Sequence, residues 1–317
     1  MSQFDIAVLG LGVMGGNLAL NLIDKGFKVV GWDSSSIWRE SKPALFHNAN
    51  FQALERLEEV YDLLEVPRKI FLFVPAGDPV SETVARLLEI VDPNDILVDC
   101  GNSHYLDSID RARAAWLDQV HFVGLGVSGG ASGALHGPSM MYGGNEHTWK
   151  ELSPMLMKIA AVGESGPCVQ RFGDAGAGHF VKMVHNGIEY ADMQIIAEAH
   201  DLMSRGLKMS QADQSEFFRK ANKGSLSSFL IELAGRVLDS ETTDLDTIID
   251  AAEQKGTGSW SVKAALELGV STPCIDAAVG ARLVSSFWAE RQQLASVLSV
   301  SANEGPSLSF ELYQLEQ

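Results

Sequence analysis

Residues 4–33 read FDIAVLGLGVMGGNLALNLIDKGFKVVGWD, and the order of patterns within them decides the fold. Phe4 to Leu9 is a short apolar run bounded by a glycine turn, as expected of a strand buried on both faces. Gly10-Leu11-Gly12-Val13-Met14-Gly15 follows directly, and a helix-like run then extends to Gly26. Lys28 to Trp32 reads as a second strand. Strand, glycine turn, helix and strand in this order imply parallel strands joined by a right-handed crossover.

The glycine turn has the spacing G-x-G-x-x-G. Its first glycine permits the tight turn, its second lets a pyrophosphate approach the backbone, and its third lets the helix pack on the strand. Free N–H groups and the positive end of the helix dipole then face the phosphates. Gly10, Leu11, Gly12, Val13, Met14 and Gly15 are therefore candidate nucleotide-binding residues. Asp33 closes the second strand, at about the separation where such folds place a carboxylate for the adenosine ribose. A carboxylate there also repels a 2′-phosphate. Ser34, Ser35 and Ser36 come next, and the nearest base is Arg39. NAD is thus expected in preference to NADP, with Asp33 and Ser34 at the ribose. Asp33 could equally cap the segment that follows it.

Further strand-like runs occur at Ile70 to Val74, Ile96 to Cys100, His121 to Gly124 and Ser139 to Tyr142. Helical patterns separate several of them. Residues 1–175 therefore read as a doubly wound, Rossmann-type α/β domain with a parallel sheet. From Gly178 onward the period is helical almost throughout, so residues 176–317 read as an all-α domain, with Gly173 to Gly178 at the junction.

Composition narrows the class. With 317 residues, 46% of them hydrophobic and only 21% charged, the chain can build large cores and lacks the signature of disorder. The net charge of −17 argues against a nucleic-acid partner. It also means that an anionic substrate needs a locally basic site. No apolar run reaches the roughly 18 residues of a membrane span, so no membrane partner is expected. Met1 to Val8 lacks the basic and apolar regions of a signal peptide. Cys100, Cys168 and Cys274 are odd in number and lack metal spacing, which points to reduced thiols, a cytoplasmic location and no bound metal.

Lys182, Asn186 and Glu189 fall at i, i+4 and i+7, on one face of a helix, with His185 and Tyr190 flanking them. A solvated helix face is the plain alternative. Val181, Met183 and Val184 leave little room for a separate buried face, however, and Gly176 and Gly178 allow another backbone to come close. A lysine with its pKa lowered by burial or nearby positive charge could take a hydroxyl proton as hydride leaves carbon. As ammonium it could then polarise the new ketone without a metal. Glu189 could serve later as an acid toward carbon. Independently, Ser128-Gly129-Gly130 offers backbone N–H groups to a carboxylate. Lys255 and Arg282 are cations able to clamp a phosphate. Taken singly, Lys255 also reads as a surface lysine and Arg282 as a helix salt bridge.

Six stretches together resemble the 6-phosphogluconate dehydrogenase family: GLGVMGGNLALNLIDKGF (10–27), AGDPV (76–80), DCGNSHYLDS (99–108), GVSGGASGALHGPSMMYGG (126–144), GDAGAGHFVKMVHNGIEYADMQ (173–194) and KGTG (255–258). The wider β-hydroxyacid dehydrogenase group shares the glycine loop and the lysine–asparagine helix. The combination of SGG, KMVHNGIEY and KGTG is narrower. The resemblance implies oxidative decarboxylation of 6-phosphogluconate to ribulose 5-phosphate and carbon dioxide, in the pentose phosphate pathway. By position it implies that Lys182 is base and then acid at the C3 oxygen, and that Glu189 protonates C1 of the enediol. His185 and Asn186 would contact and position hydroxyls. Asn102, Ser128, Gly129 and Gly130 would lie near the carboxylate and C3. Tyr190, Lys255, Thr257 and Arg282 would form the phosphate pocket. Val74, Pro75 and Ala76, together with Asn102, would lie on the cofactor side. It further implies a homodimer formed through the helical domain.

Two departures from the family pattern are visible. NADP-using members carry an Asn-Arg-Thr type sequence where Asp33-Ser34-Ser35 stands here, and Pro75 replaces a common lysine. Members also carry a C-terminal tail whose arginine and histidine reach a neighbouring subunit's pocket. No matching stretch precedes Gln317, and Ser307 to Gln317 resembles the opening of a further helix. Two other readings therefore stay open: a dehydrogenase for another β-hydroxyacid, and a cofactor-binding protein with little turnover for want of that tail.

Overall fold

The computed structural model describes residues 4–35, 45, 47–239, 245–252 and 256–297. Arg39, Lys255 and the segment Ser307 to Gln317 lie outside the described residues. By contacts the chain divides into two units, Met1–Val184 and His185–Gln317.

The first unit is built on a mostly parallel sheet. Its strands are β1 (Ile6–Leu9), β2 (Val29–Trp32), β3 (Phe51–Ala53), β4 (Lys69–Leu72), β5 (Ile96–Asp99), β6 (His121–Ser128), β7 (Ser139–Gly143) and β10 (Val169–Gly173). A small hairpin, β8 (Val162–Gly163) with β9 (Gly166–Pro167), stands apart. The sheet order is β10-β7-β6-β5-β4-β1-β2-β3. Alternate residues of the central strands feed two cores. Ile6, Val8, Phe71 and Val98 join Leu18, Leu22, Leu152 and Leu156 from the helices Val13–Asp24 and Glu146–Ile159. Ala7, Leu9, Ile70, Leu72 and Leu97 join Val80, Val84, Leu87 and Ala115 from the helices Asp78–Leu88 and Tyr105–Leu117. This is the expected doubly wound arrangement, because strands covered on both faces read as continuous apolar runs.

Two features differ from the sequence reading. β7 runs antiparallel to β6. Only residues 129–138 lie between them, fewer than the dozen or more that a parallel crossover requires. The strands β3 and β10, which the apolar runs do not reveal, are respectively three residues long and largely half-exposed.

The helix Ala177–Asp201 begins in the first unit, where glycine backbone lets it lie directly on the ends of β6 and β7. A methyl group at Gly124 would stand 2.9 Å from the Ala175 carbonyl oxygen, and one at Gly178 would stand 2.6 Å from the Gly143 nitrogen. His179, on the same turn, is buried with Nδ1 2.6 Å from the Ser108 hydroxyl, and burial holds its imidazole below the ordinary pKa.

The regular elements among the second unit's described residues are all helical. It contains the remainder of that long helix, a widened turn at Leu202–Gly206, and the helices Gln211–Ala221, Phe229–Val237, Thr257–Leu268, Pro273–Ser286 and Trp288–Val297. Ser210 and Ser228 cap two of these by accepting from Asp213 N–H and Ile231 N–H. One small core gathers Ala191, Ile275 and Val279, and another gathers Met203, Phe218 and Leu238. Among the described residues, no helix is long and apolar enough to cross a membrane.

At the amino ends of β4 and β5, buried Arg68 donates to Asp95 at 2.8 Å, to Asp92 at 2.9 Å and to the Tyr61 carbonyl at 2.9 Å. Asp95 is fully buried and also accepts from the Arg68 N–H. Removing one partner strands the other charge. Asp95→Ala is therefore expected to lower the stability of this unit by about 3–5 kcal/mol. Asp110→Ala breaks an exposed pair with Arg113 and is expected to cost less than about 1 kcal/mol. Urea unfolding followed by circular dichroism measures both, and equal losses would contradict the assignment.

Candidate functional site

In open parallel sheets, ligands gather beyond the carboxyl ends of the strands, near the point where the strand order reverses. Here β1 lies between β2 and β4, and the segments after β1, β2, β4, β5 and β6 carry the first-unit residues singled out above, apart from Lys182. Gly10 has φ +88, a region that side chains disfavour, and a methyl group there would stand 2.7 Å from the Phe73 carbonyl carbon. At Gly15 a methyl group would stand 2.9 Å from Phe73 Cβ, so the third glycine lets the helix seat. At Gly12 a methyl group would meet nothing within 4 Å, leaving the backbone open to a ligand. Gly12 caps the helix Val13–Asp24, which has no side-chain cap and no acidic residue in its first turn. Met14 packs partly into the core, while Val13 is exposed. Open N–H groups and an uncompensated dipole fit a pyrophosphate.

Asp33 has a role that the sequence reading does not contain. One carboxylate oxygen accepts from Leu11 N–H at 2.6 Å and the other from Ser35 N–H at 2.9 Å. It braces the glycine loop as well as turning the chain behind it. A carboxylate has about four acceptor positions, so two remain for a ribose. Ser34 is exposed beside it.

Half-buried Val74 and exposed Pro75 and Ala76 follow β4, and exposed Asn102 follows β5. Ser128 ends β6, and Gly129, at φ +115, opens the short helix Gly130–His136 with no side-chain cap. Gly129 and Gly130 are exposed, so their backbone is open to an anion. Lys182 is 7% exposed. Its stem lies along β6, where a methyl group at Gly126 would stand 2.5 Å from Lys182 Cβ and 3.1 Å from Cγ.

The remaining residues belong to the second unit. His185, Asn186, Glu189 and Tyr190 continue the helix that carries Lys182. His185 Nδ1 lies 3.4 Å from Asn186 Oδ1 and 4.0 Å from Glu189 Oε2. Asn186 donates to the Thr257 hydroxyl at 3.3 Å. The Arg282 guanidinium sits 4.0 Å from the centre of the Tyr190 ring, and one of its nitrogens lies 3.4 Å from Met193 Sδ. Gly258 allows that ring to come close, since a methyl group there would stand 2.8 Å from Tyr190 Cε2. The folded unit thus gathers Asn186, Tyr190, Thr257 and Arg282, which the sequence spreads over nearly a hundred positions; Lys255 falls outside the described residues. Among those residues no three metal-ligating side chains cluster.

Two buried residues escape the sequence reading. Asp99 and Arg111 lie beneath the loop that carries Asn102. Arg111 stands four residues after Asp107 in a polar helix, and such spacing reads as an ordinary surface pair. Only the burial of a carboxylate at the end of β5 hints otherwise.

Comparison with known proteins accounts for both units. Residues 5–173 match the family model described as the NAD binding domain of 6-phosphogluconate dehydrogenase. Residues 178–313 match the model of that enzyme's C-terminal domain. A decarboxylating 6-phosphogluconate dehydrogenase of Lactococcus lactis subsp. lactis is 41% identical over 317 residues, covering 98% of this chain and 66% of the relative. One from Bacillus subtilis, named as NADP(+)-dependent, is 42% identical over 304 residues, covering 94% and 65%. The chain therefore spans just under two thirds of the length of these relatives. Among solved structures, Plasmodium falciparum 6-phosphogluconate dehydrogenase, described in its apo form, with its cofactor NADP+ and with its substrate 6-phosphogluconate, superposes with a TM-score of 0.86. That match has 37% identity and covers 95% of this chain and 67% of the other. Because the glycine loop, the SGG turn and the lysine helix all fall inside these two matched domains, the chain belongs to the 6-phosphogluconate dehydrogenase family.

Proposed function

We propose that this protein oxidises and decarboxylates 6-phosphogluconate to ribulose 5-phosphate and carbon dioxide. The observation that carries this reading is the second unit's cluster of Tyr190, Thr257 and Arg282, fastened to the same helix as Lys182, Asn186 and Glu189. A β-hydroxyacid without a phosphate has no use for that cluster.

The dinucleotide would rest its pyrophosphate on Gly10 to Gly15 and lie along Asp33, Ser34, Val74, Pro75, Ala76 and Asn102. When bound, it supplies a hydride acceptor. Lys182 takes the C3 hydroxyl proton as that hydrogen leaves, and the resulting ammonium then stabilises negative charge growing on the C3 oxygen. Carbon dioxide departs from the β-keto acid so formed as Lys182 returns its proton to the C3 oxygen, leaving an enediol. Glu189 delivers a proton to C1, and Lys182 recovers the one at oxygen. Ser128, Gly129, Gly130 and Asn102 hold the carboxylate end, while His185 and Asn186 orient hydroxyls. Arg282 and Thr257, with Tyr190 beneath the guanidinium, hold the phosphate, and the family resemblance alone assigns Lys255 to the same task.

NAD is the proposed cofactor. Asp33 places negative charge beside the ribose, and Ser34 and Ser35 offer no cation to a 2′-phosphate. Two of the proteins named above are described with NADP+, so this proposal rests on the present chain's own residues alone. Exposed Phe229, Leu233, Ile248, Phe287 and Trp288 on the helical unit support a homodimer through that unit, and reduced cysteines support a cytoplasmic setting.

Three measurements test these statements. Lys182→Met is expected to lower kcat by about 10²–10⁴-fold, the usual weight of a general base, with cofactor affinity unchanged. Ordinary turnover by a folded variant would refute the role. For the cofactor, NAD is expected to give the higher kcat/KM. The double change Asp33→Asn with Ser34→Arg keeps an acceptor for Leu11 N–H while removing repulsion, and is expected to reverse the order. A higher kcat/KM with NADP in the unmodified protein would overturn the preference. Arg282→Ala removes a charged contact worth about 1.5–3 kcal/mol, so KM for 6-phosphogluconate is expected to rise roughly ten- to a hundred-fold. Gluconate, lacking the phosphate, is expected to lose far less, and equal losses would make Arg282 a packing residue.

A further inference from the structure

We infer that Arg111 is a positioning residue for the cofactor, fixing the distance between the two loops that follow β4 and β5. The inference rests on the reading above, in which Val74 to Ala76 and Asn102 meet the dinucleotide.

Arg111 is 7% exposed and Asp99 is fully buried. Its guanidinium reaches both loops. One terminal nitrogen donates to the Gly77 carbonyl at 2.8 Å, and Nε donates to the Ser81 hydroxyl at 3.1 Å. Both acceptors belong to the β4 loop and the start of the helix that follows it. The other terminal nitrogen faces Asp99 at 3.5 Å and the Ser103 hydroxyl at 3.4 Å, on the β5 side. Asp99 in turn accepts from Gly101 N–H at 3.0 Å and from the Ser103 hydroxyl at 2.6 Å. Asn102 sits between these two anchored residues and is itself exposed. The loops also touch, since a methyl group at Gly101 would stand 3.4 Å from the Val74 carbonyl oxygen.

The planar fork explains the residue type. Gly77 needs a donor from one direction, Ser81 from a second, and Asp99 with Ser103 from a third. Lysine offers a single ammonium on a flexible stem and cannot serve all three places. A buried carboxylate also demands a cation that is itself hydrogen-bonded, and Arg111 meets that demand while spending its other donors on the β4 loop. None of these contacts involves a ligand, so the effect on binding passes through the position of Asn102 and of Val74 to Ala76.

The test uses the full chain, measuring NAD and NADP dissociation constants by tryptophan fluorescence alongside thermal midpoints. Arg111→Lys keeps the charge and is expected to weaken cofactor binding by about ten- to a hundred-fold, the scale on which displaced positioning groups act. Ser81→Ala, at an exposed position and safe for folding, is expected to weaken it by a smaller factor. Arg113→Ala, an exposed arginine on the same helix, is expected to change nothing. Combining Arg111→Lys with Asn102→Ala separates positioning from mere stability. If Arg111 acts through that loop, the double variant loses less than the product of the single losses. A lowered thermal midpoint with unchanged cofactor affinity in both Arg111→Lys and Ser81→Ala would overturn the inference, as would multiplicative losses in the double variant. Absence of dinucleotide binding by the unmodified protein would instead bring down the reading on which it rests.

Discussion

The seating of one helix on bare strand backbone is the constraint on which the rest of the site depends. Gly124 and Gly126 on β6, Gly143 on β7 and Gly178 on the helix add no side chains of their own where strand and helix meet. Methyl groups at any of them would collide with backbone or with the Lys182 stem. Interiors are packed too densely to absorb such a collision, so the helix would have to lift away. Lys182 owes its burial and its place along β6 to this contact. By helical period, the residues four and seven positions further on share its helix face. The glycines here therefore act through the space they leave vacant, and only secondarily through the backbone angles they permit.

Sequence patterns reveal these features unevenly, for physical reasons. The glycine loop is legible because turn, strand and helix each leave a local signature and all three coincide. The lysine stripe is legible because helical period alone fixes a face. The antiparallel β6–β7 pair could also be read, since the link between the strands is too short for a crossover. Arg111 could not. A cation four residues beyond an aspartate looks the same whether its helix face meets water or the loops of a neighbouring strand, and only the tertiary fold supplies Gly77 and Ser81 as acceptors. The bond from Leu11 N–H to Asp33 is hidden in the same way, because the partners are far apart along the chain and neither residue type demands the other.

Charge shows how local structure overrides composition. A net charge of −17 repels a phosphorylated sugar acid at long range. Salt screens that field over about 8 Å under physiological conditions, so groups in direct contact decide binding. Many cations of this chain are already committed. Arg68 and Arg111 are buried against carboxylates, and Arg113, Lys150, Arg205 and Lys220 pair with acids a turn away on their own helices. Arg282 is placed differently: its guanidinium lies over the Tyr190 ring and beside the Met193 thioether.

The same logic bears on Asp33. Its carboxylate is tied to two backbone N–H groups, one of them within the glycine loop itself. Those bonds fix its position, so on the proposed reading its carboxylate stays beside the ribose, where a second phosphate would have to sit. An asparagine could take over the bond to Leu11 N–H with its single carbonyl oxygen while surrendering the charge. On the proposed reading, cofactor preference and loop geometry are thus linked through one side chain. A change of preference has to preserve the acceptor while removing the repulsion, and a simple truncation of Asp33 would confound the two by leaving a loop N–H without its partner.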